Sequence, residues 1–76
     1  MSELIQFLVR ALVEDPEAVE VEEVEENGDL VLEVRVADED LGRVIGRGGR
    51  IANALRTVAR AAATKGDTRV FVEILE

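Results

Sequence analysis

The sequence predicts an α+β fold with element order α-β-β-α-α-β, three helices covering one face of a three-stranded mixed sheet. Three observations carry that prediction. Apolar residues recur at helical spacing from Leu4 to Val13, the period drops to two from Val19 onward around an Asn27-Gly28 pair, and glycines at 46, 48 and 49 interrupt an otherwise helical stretch. At 76 residues there is room for one domain, spanning 1–76. A domain of that size buries only about 60% of its unfolded surface, so nearly every element must contribute to a small core.

Taken in order, Leu4, Ile5, Leu8, Val9, Leu12 and Val13 form the apolar stripe of a helix over 3–14, with Ser2 as N-cap and Glu3 in the first turn. Asp15-Pro16 ends it, because the residue before proline is pushed out of the helical region. Val19 and Val21 then alternate with Glu20 and Glu22, while Val24 falls out of phase, which predicts a bulge or an early end. The acidic exposed side suits an edge strand that must avoid pairing with other chains. Asn27-Gly28 between two alternating runs is the signature of a two-residue hairpin. The next strand, over 30–36, sets Leu30, Leu32, Val34 and Val36 on one face and Val31, Glu33 and Arg35 on the other, and its apolar content makes it the central strand.

Asp38 is placed as the N-cap of a short helix, with Glu39 and Asp40 favourably set in its first turn. Gly42 weakens this helix and Gly46 ends it. Another helix runs from 49 or 50 to Thr64, packing Ile51, Leu55, Val58, Ala59 and Ala62 inward and leaving Asn53, Arg56, Thr57 and Arg60 on its other side. Lys65-Gly66 supplies a C-terminal cation and a left-handed cap, and a strand from Thr68 to Leu75 turns Val70, Val72 and Ile74 to one side. A strand-helix-helix-strand crossover joins parallel strands with a right-handed turn, so the last strand belongs beside the central one and the acidic strand on the opposite edge. The open face of the sheet keeps Val31, Phe71 and Leu75, an ordinary surface or a dimer surface.

Composition excludes several classes of protein. There is no cysteine and no histidine, hence no disulfide framework and no thiolate or imidazole metal site. The apolar runs are far shorter than the roughly 20 residues of a membrane span, and no signal-peptide layout opens the chain, so a soluble cytoplasmic protein is expected. Net charge is −8, which on its face opposes a polyanionic partner. Its distribution does the reverse. Residues 1–40 hold fourteen carboxylates and two arginines, a balance of −12, whereas residues 41–66 hold five arginines, one lysine and no acid, a balance of +6; the last ten residues contribute −2. At a screening length of about 8 Å, a ligand on the basic segment feels mainly the local charge. The plainer reading of these charges is a set of solvated faces.

The stretch Val44-Ile45-Gly46-Arg47-Gly48-Gly49-Arg50-Ile51 organises the rest. Each glycine costs about 0.5–1 kcal/mol inside a helix or strand, so three within four positions predict a tight loop between two helices. Free amides and two guanidinium groups converge there, suited to a chain of phosphates. A purely structural turn needs neither three glycines nor two arginines.

These residues resemble the V-I-G-x-x-G-x-x-I signature of the KH domain, and the element order resembles the type II arrangement of that fold. End to end, the chain is similar to the small bacterial single-KH proteins of the KhpA group, through the helix stopped by Asp-Pro, the strand pair and the run from Arg50 to Val58. The resemblance implies an RNA-binding protein that clamps about four nucleotides of single-stranded RNA. Its implied role is post-transcriptional regulation or RNA chaperoning, and its implied protein partners are a second copy or a KH protein of the KhpB type. The family tolerates variation at the two middle loop positions, here Arg47 and Gly48, and the additional glycine is expected to loosen the loop.

In the resulting scheme the backbone of Gly46, Arg47, Gly48 and Gly49 lies along the sugar-phosphate chain, with Arg47 and Arg50 adding charge and Arg43, Asn53, Arg56 and Arg60 in reach. Bases lie against Leu41, Val44, Ile45 and the edge of the central strand near Val34 to Val36. Aromatic stacking contributes little, because Phe7 and Phe71 are the only aromatics and are expected in the core or on the back of the sheet. Binding is therefore expected to be weak per site and salt-sensitive. Two other classes compete. A nucleotide-binding enzyme would need a P-loop Lys-Ser/Thr ending or Gly-x-Gly-x-x-Gly spacing, and the loop has neither, nor a nearby catalytic base; no cofactor or metal is expected. A protein-interaction module with little RNA affinity of its own would use the acidic edge strand or the Val31/Phe71 face.

Overall fold

A computed structural model describes residues 1–63 and 69–75. Helix α1 is Ser2–Leu12, strand β1 Glu20–Glu26, strand β2 Asp29–Arg35, helix α2 Leu41–Ile45, helix α3 Arg50–Ala62 and strand β3 Val70–Leu75, with single 3-10 turns at Pro16–Ala18, Asp38–Asp40 and Arg47–Gly49. The sheet order is β1-β2-β3, antiparallel between β1 and β2 and parallel between β2 and β3. The mixed three-stranded α+β architecture and its central strand are those the sequence predicts.

The core lies between the sheet and the helices. Leu32, Val34, Val70 and Val72 face Ile5 and Val9 of α1, Val44 of α2, and Leu55 and Ala59 of α3, with Val19 closing the entry to β1. Each of the valine, leucine and isoleucine side chains among them contributes about 1.5–3 kcal/mol when fully buried. Asn27 and Gly28 both have positive φ, 51° and 83°, which is the two-residue turn that matches the twist of β1 and β2.

Several local expectations need correction. Ser2 is not a cap but lies inside α1, whose N-cap is Met1, and the Ser2 N–H donates to Glu23 Oε1 at 3.1 Å. Asp38 likewise caps nothing: it opens a 3-10 turn flanked by Ala37, with no side-chain cap. Val24 causes no bulge. The ladder from Glu20↔Arg35 to Glu26↔Asp29 is unbroken, and Val24 sits opposite Val31, which sits opposite Phe71. Its change of phase therefore puts an apolar residue on the open face, completing a row across all three strands. Beside that row Glu22, Glu33 and Glu73 form a second one, eased where Arg35 reaches Glu22 at 3.8 Å.

Phe7 belongs neither to the core nor to the back of the sheet: it is 70% exposed on α1. In α3 the inward set is Ala52, Leu55 and Ala59, while Val58 and Ala62 face outward, one step around the helix from the expected seam. Alanine at 52 and 59 leaves room for the helix to lie close on β3. The expected cap at Lys65-Gly66, the end of α3 at Thr64 and the start of the last strand at Thr68 fall outside the described residues.

Leu32→Ala, at a site with 0% exposure, should lower unfolding free energy by about 2–5 kcal/mol. Phe7→Ala should change it by less than about 0.5 kcal/mol. Urea denaturation of the two variants beside the parent chain checks both.

Candidate nucleic-acid interface

The glycine stretch forms the turn between α2 and α3. Gly46 adopts φ 76°, ψ 172°, a region essentially restricted to glycine. A Cβ there would stand 2.5 Å from Ile51 Cγ1 and 2.8 Å from the Ile51 nitrogen. Gly48 and Gly49 are left-handed, at φ 65° and 82°, but face open space or, at Gly49, only the Asn53 amide at 3.9 Å. Gly48 stands in a left-handed conformation that side-chain-bearing residues rarely adopt. The Gly46 N–H bonds back to the Gly42 carbonyl at 2.9 Å, closing α2, and the Gly49 N–H bonds to the Gly46 carbonyl at 3.2 Å.

From Gly49 the chain enters α3, thirteen residues long, with no side-chain cap on its first turn. The Arg50 N–H donates to the Arg47 carbonyl; the amides that follow it and the positive end of the helix dipole stay available to an anion. Arg47 and Arg50 are exposed beside them and, among the described residues, take part in no salt bridge. Arg60 is also exposed, lower on the same helix. Ile45, 38% exposed, and half-buried Leu41 supply apolar surface next to the turn. Asn53 is exposed one turn into α3.

Five of the expected contact residues have other neighbours in the fold. Val44 has 0% exposure and supports the turn from below. Val34 is equally buried, and β2 is hydrogen-bonded on both sides, so the central strand offers no free edge there; half-buried Val36 packs against the core. Arg56 is half-buried, its Nε donating to the Val72 carbonyl at 3.3 Å and its Nη1 to Asn53 Oδ1 at 2.9 Å, which braces α3 against β3. Arg43 is held by carboxylates, at 2.8 Å from Glu14 and 3.3 Å from Asp40. The acidic half of the chain therefore does reach the basic segment, but at Arg43 and not at the turn.

Asp40, unremarked as more than a first-turn acid, is the buried charged residue among those described, at 1% exposure. Its Oδ1 accepts from the Glu14 N–H and its Oδ2 from the Asp15 N–H, each at 3.1 Å. These amides, chiefly that of Glu14, together with the Arg43 guanidinium, hold its carboxyl below the usual aspartate range against the opposing effect of burial. An arginine three residues after Asp40 is visible in sequence; the partnership with residues 14 and 15 has no local signal.

A family model described as KhpA/KhpB, KH domain, matches residues 2–74. The chain is 49% identical over 75 residues to the RNA-binding protein KhpA of Caldanaerobacter subterraneus subsp. tengcongensis, covering 99% of this chain and 100% of that one. It is 45% identical over 74 residues to the protein of the same name from Borreliella burgdorferi, covering 97% and 90%, and 43% identical over the full length of both to that of Listeria monocytogenes. No solved structure matches. Among the described residues no helix is long and apolar enough to cross a membrane.

Gly46→Ala should cost about 3 kcal/mol or more, since strain and collision with Ile51 add. Gly48→Ala, strained but uncrowded, should cost about 1–2 kcal/mol, and Gly48→Asn less. Thermal melts of the three variants test this ranking.

Proposed function

The chain belongs to the KhpA/KhpB family of KH domains, and from that premise we propose that it acts as one KH domain that binds single-stranded RNA at the α2–turn–α3 unit. The observation that carries this reading is the start of α3 at Gly49 without a side-chain cap, with two guanidinium groups beside it that form no salt bridge among the described residues. The amides of Arg47 and Gly48 and those of Ile51 and Ala52 in the first turn of α3 donate to phosphate oxygens, Arg47 and Arg50 supply the charge, and Ile45 with Leu41 offers an apolar bed for bases. Asn53 is the polar group placed to meet a base edge or sugar. Arg43, Val44 and Arg56 support the unit and do not contact RNA. With no aromatic platform at the turn, affinity per site is low and rests on phosphate contacts. A grip of that kind, met by RNA in the cytoplasm, suits a regulator or chaperone that visits many transcripts briefly.

Weak single sites gain from pairing, since a second linked site raises effective concentration. Helices α1 and α3 leave a hollow of about 270 Å³ lined by Leu8, Ala11, Leu12, Ile51, Ala54, Leu55 and Val58, and Leu4 and Phe7 extend the apolar surface of α1. A second copy presenting the same face is its occupant in our reading, and a KH protein of the KhpB type would use that face too.

Arg47→Glu with Arg50→Glu should lower affinity for a short single-stranded RNA more than tenfold while the melting temperature stays native, because glutamate suits the first turn of a helix. The slope of log K against log salt should flatten by about 1.4, at about 0.7 per lost phosphate contact. Unchanged affinity would remove the turn from the RNA site. Val58→Glu should convert a dimer seen by light scattering into a monomer with an unaltered melt; a monomeric parent chain at high micromolar concentration would refute the association.

A further inference from the structure

We infer that Asp40 is the positioning residue of the glycine turn: by fastening the chain at residues 14 and 15 to the start of α2, it fixes the direction in which α2 presents the turn. The inference rests on the RNA-binding reading for its consequence and on geometry for its substance.

Helix α2 has five residues, little more than one turn, and a helix that short has no stability of its own. Something outside it must hold it. At its far end Val44 is sunk in the core, which fixes the depth of that end. At its near end Asp40 immediately precedes Leu41, and its two carboxylate oxygens take the N–H groups of two successive residues, Glu14 and Asp15, from the segment that has just left α1. Two bonds to adjacent amides define an orientation, where one would define only a distance. The Arg43 guanidinium closes the arrangement, bridging Asp40 to the Glu14 side chain on one side and donating to the Glu39 carbonyl at 3.4 Å.

A buried carboxylate is costly unless its oxygens are satisfied, and here every bond runs to the backbone of 14–15 or to α2 itself. The charge is thus kept where it serves the placement of one short helix. The Gly46 N–H, bonded to the Gly42 carbonyl, is the last link from that helix into the turn. Asparagine at 40 keeps the shape but puts an NH₂ group against one of the two N–H donors, so one of the paired bonds is lost and the orientation is released.

The test compares Asp40→Asn with a core variant, Ile5→Val or Val9→Ala, chosen to match its fall in melting temperature, both studied well below their melts. Without RNA, the amide resonances of Gly46, Gly48 and Gly49 should shift and the Gly46 amide should exchange with solvent faster in Asp40→Asn and not in the core variant. With RNA, Asp40→Asn should bind at least fivefold more weakly and the core variant within twofold of the parent. Unmoved loop resonances overturn the inference, as does an equal loss of affinity in both variants. A parent chain that binds no RNA would overturn the RNA-binding reading, while the RNA-free spectra still judge the role of Asp40. Should Asp40→Asn fail to fold, native-state exchange of the parent chain decides: the amides of Glu14, Asp15 and Gly46 should open together with one denaturant dependence, and a Gly46 amide that stays protected while Glu14 and Asp15 exchange freely overturns the inference.

Discussion

Everything at the α2–α3 turn depends on the approach of the Gly46 Cα to Ile51. With a Cβ at 46 the Ile51 side chain and its own amide nitrogen would both be in collision, so α3 could start only after a longer connection. Because the chain turns within Arg47–Gly49, α2 and α3 are set close, and Ile51 reaches back to the core from the first turn of α3. The same tightness leaves the first turn of α3 without a side-chain cap. In most helices Ser, Thr, Asp or Asn would fill that role, and their absence is what keeps the amides open to an outside anion.

Charge is sorted by the fold as well as by the chain. The open face of the sheet carries the row Glu22, Glu33 and Glu73, which repels a polyanion. Glutamates of β1 on the helix side are used locally, as where Glu23 receives the Ser2 amide. The basic segment is trimmed rather than left whole: Arg43 is neutralised by Glu14 and Asp40, and Arg56 is turned to Asn53 and the Val72 carbonyl. What stays uncommitted among the described residues is concentrated at Arg47 and Arg50, at the turn itself, with Arg60 further along α3. A net charge of −8 is therefore compatible with a phosphate site, because screening over about 8 Å makes the local pair outweigh the distant sum.

The parts of the fold legible in the sequence are those with a short-range cause. Asn27-Gly28 demands positive φ at two successive positions, Pro16 keeps α1 from running on toward β1, and Gly46, Gly48 and Gly49 exclude a continuous α-helix or a strand. The apolar faces of β2 and β3 follow from alternation alone. Where the reading fell short, the cause lay elsewhere in the chain. Val24 looked like a defect because its partners, Val31 and Phe71, belong to other strands. Val58 and Ala62 look inward when α3 is phased on Ile51, whereas the residues it buries are Ala52, Leu55 and Ala59. Val44 looked available because it neighbours the turn, yet a helix as short as α2 needs an anchor in the core. Asp40 was invisible as a buried group because its partners lie 25 and 26 residues earlier.

Helix α3 is asked to do three things along its thirteen residues. Its N-terminus faces the proposed phosphate site, one side packs Ala52, Leu55 and Ala59 against the sheet, and another side, with Ala54 and Val58, lines the apolar hollow shared with α1. Ile51 belongs to two of these at once, since it touches the Gly46 turn and also lines the hollow. A protein interior is close-packed and transmits small displacements instead of absorbing them. Ile51 is therefore the point at which the packing of the glycine turn and the lining of the hollow meet.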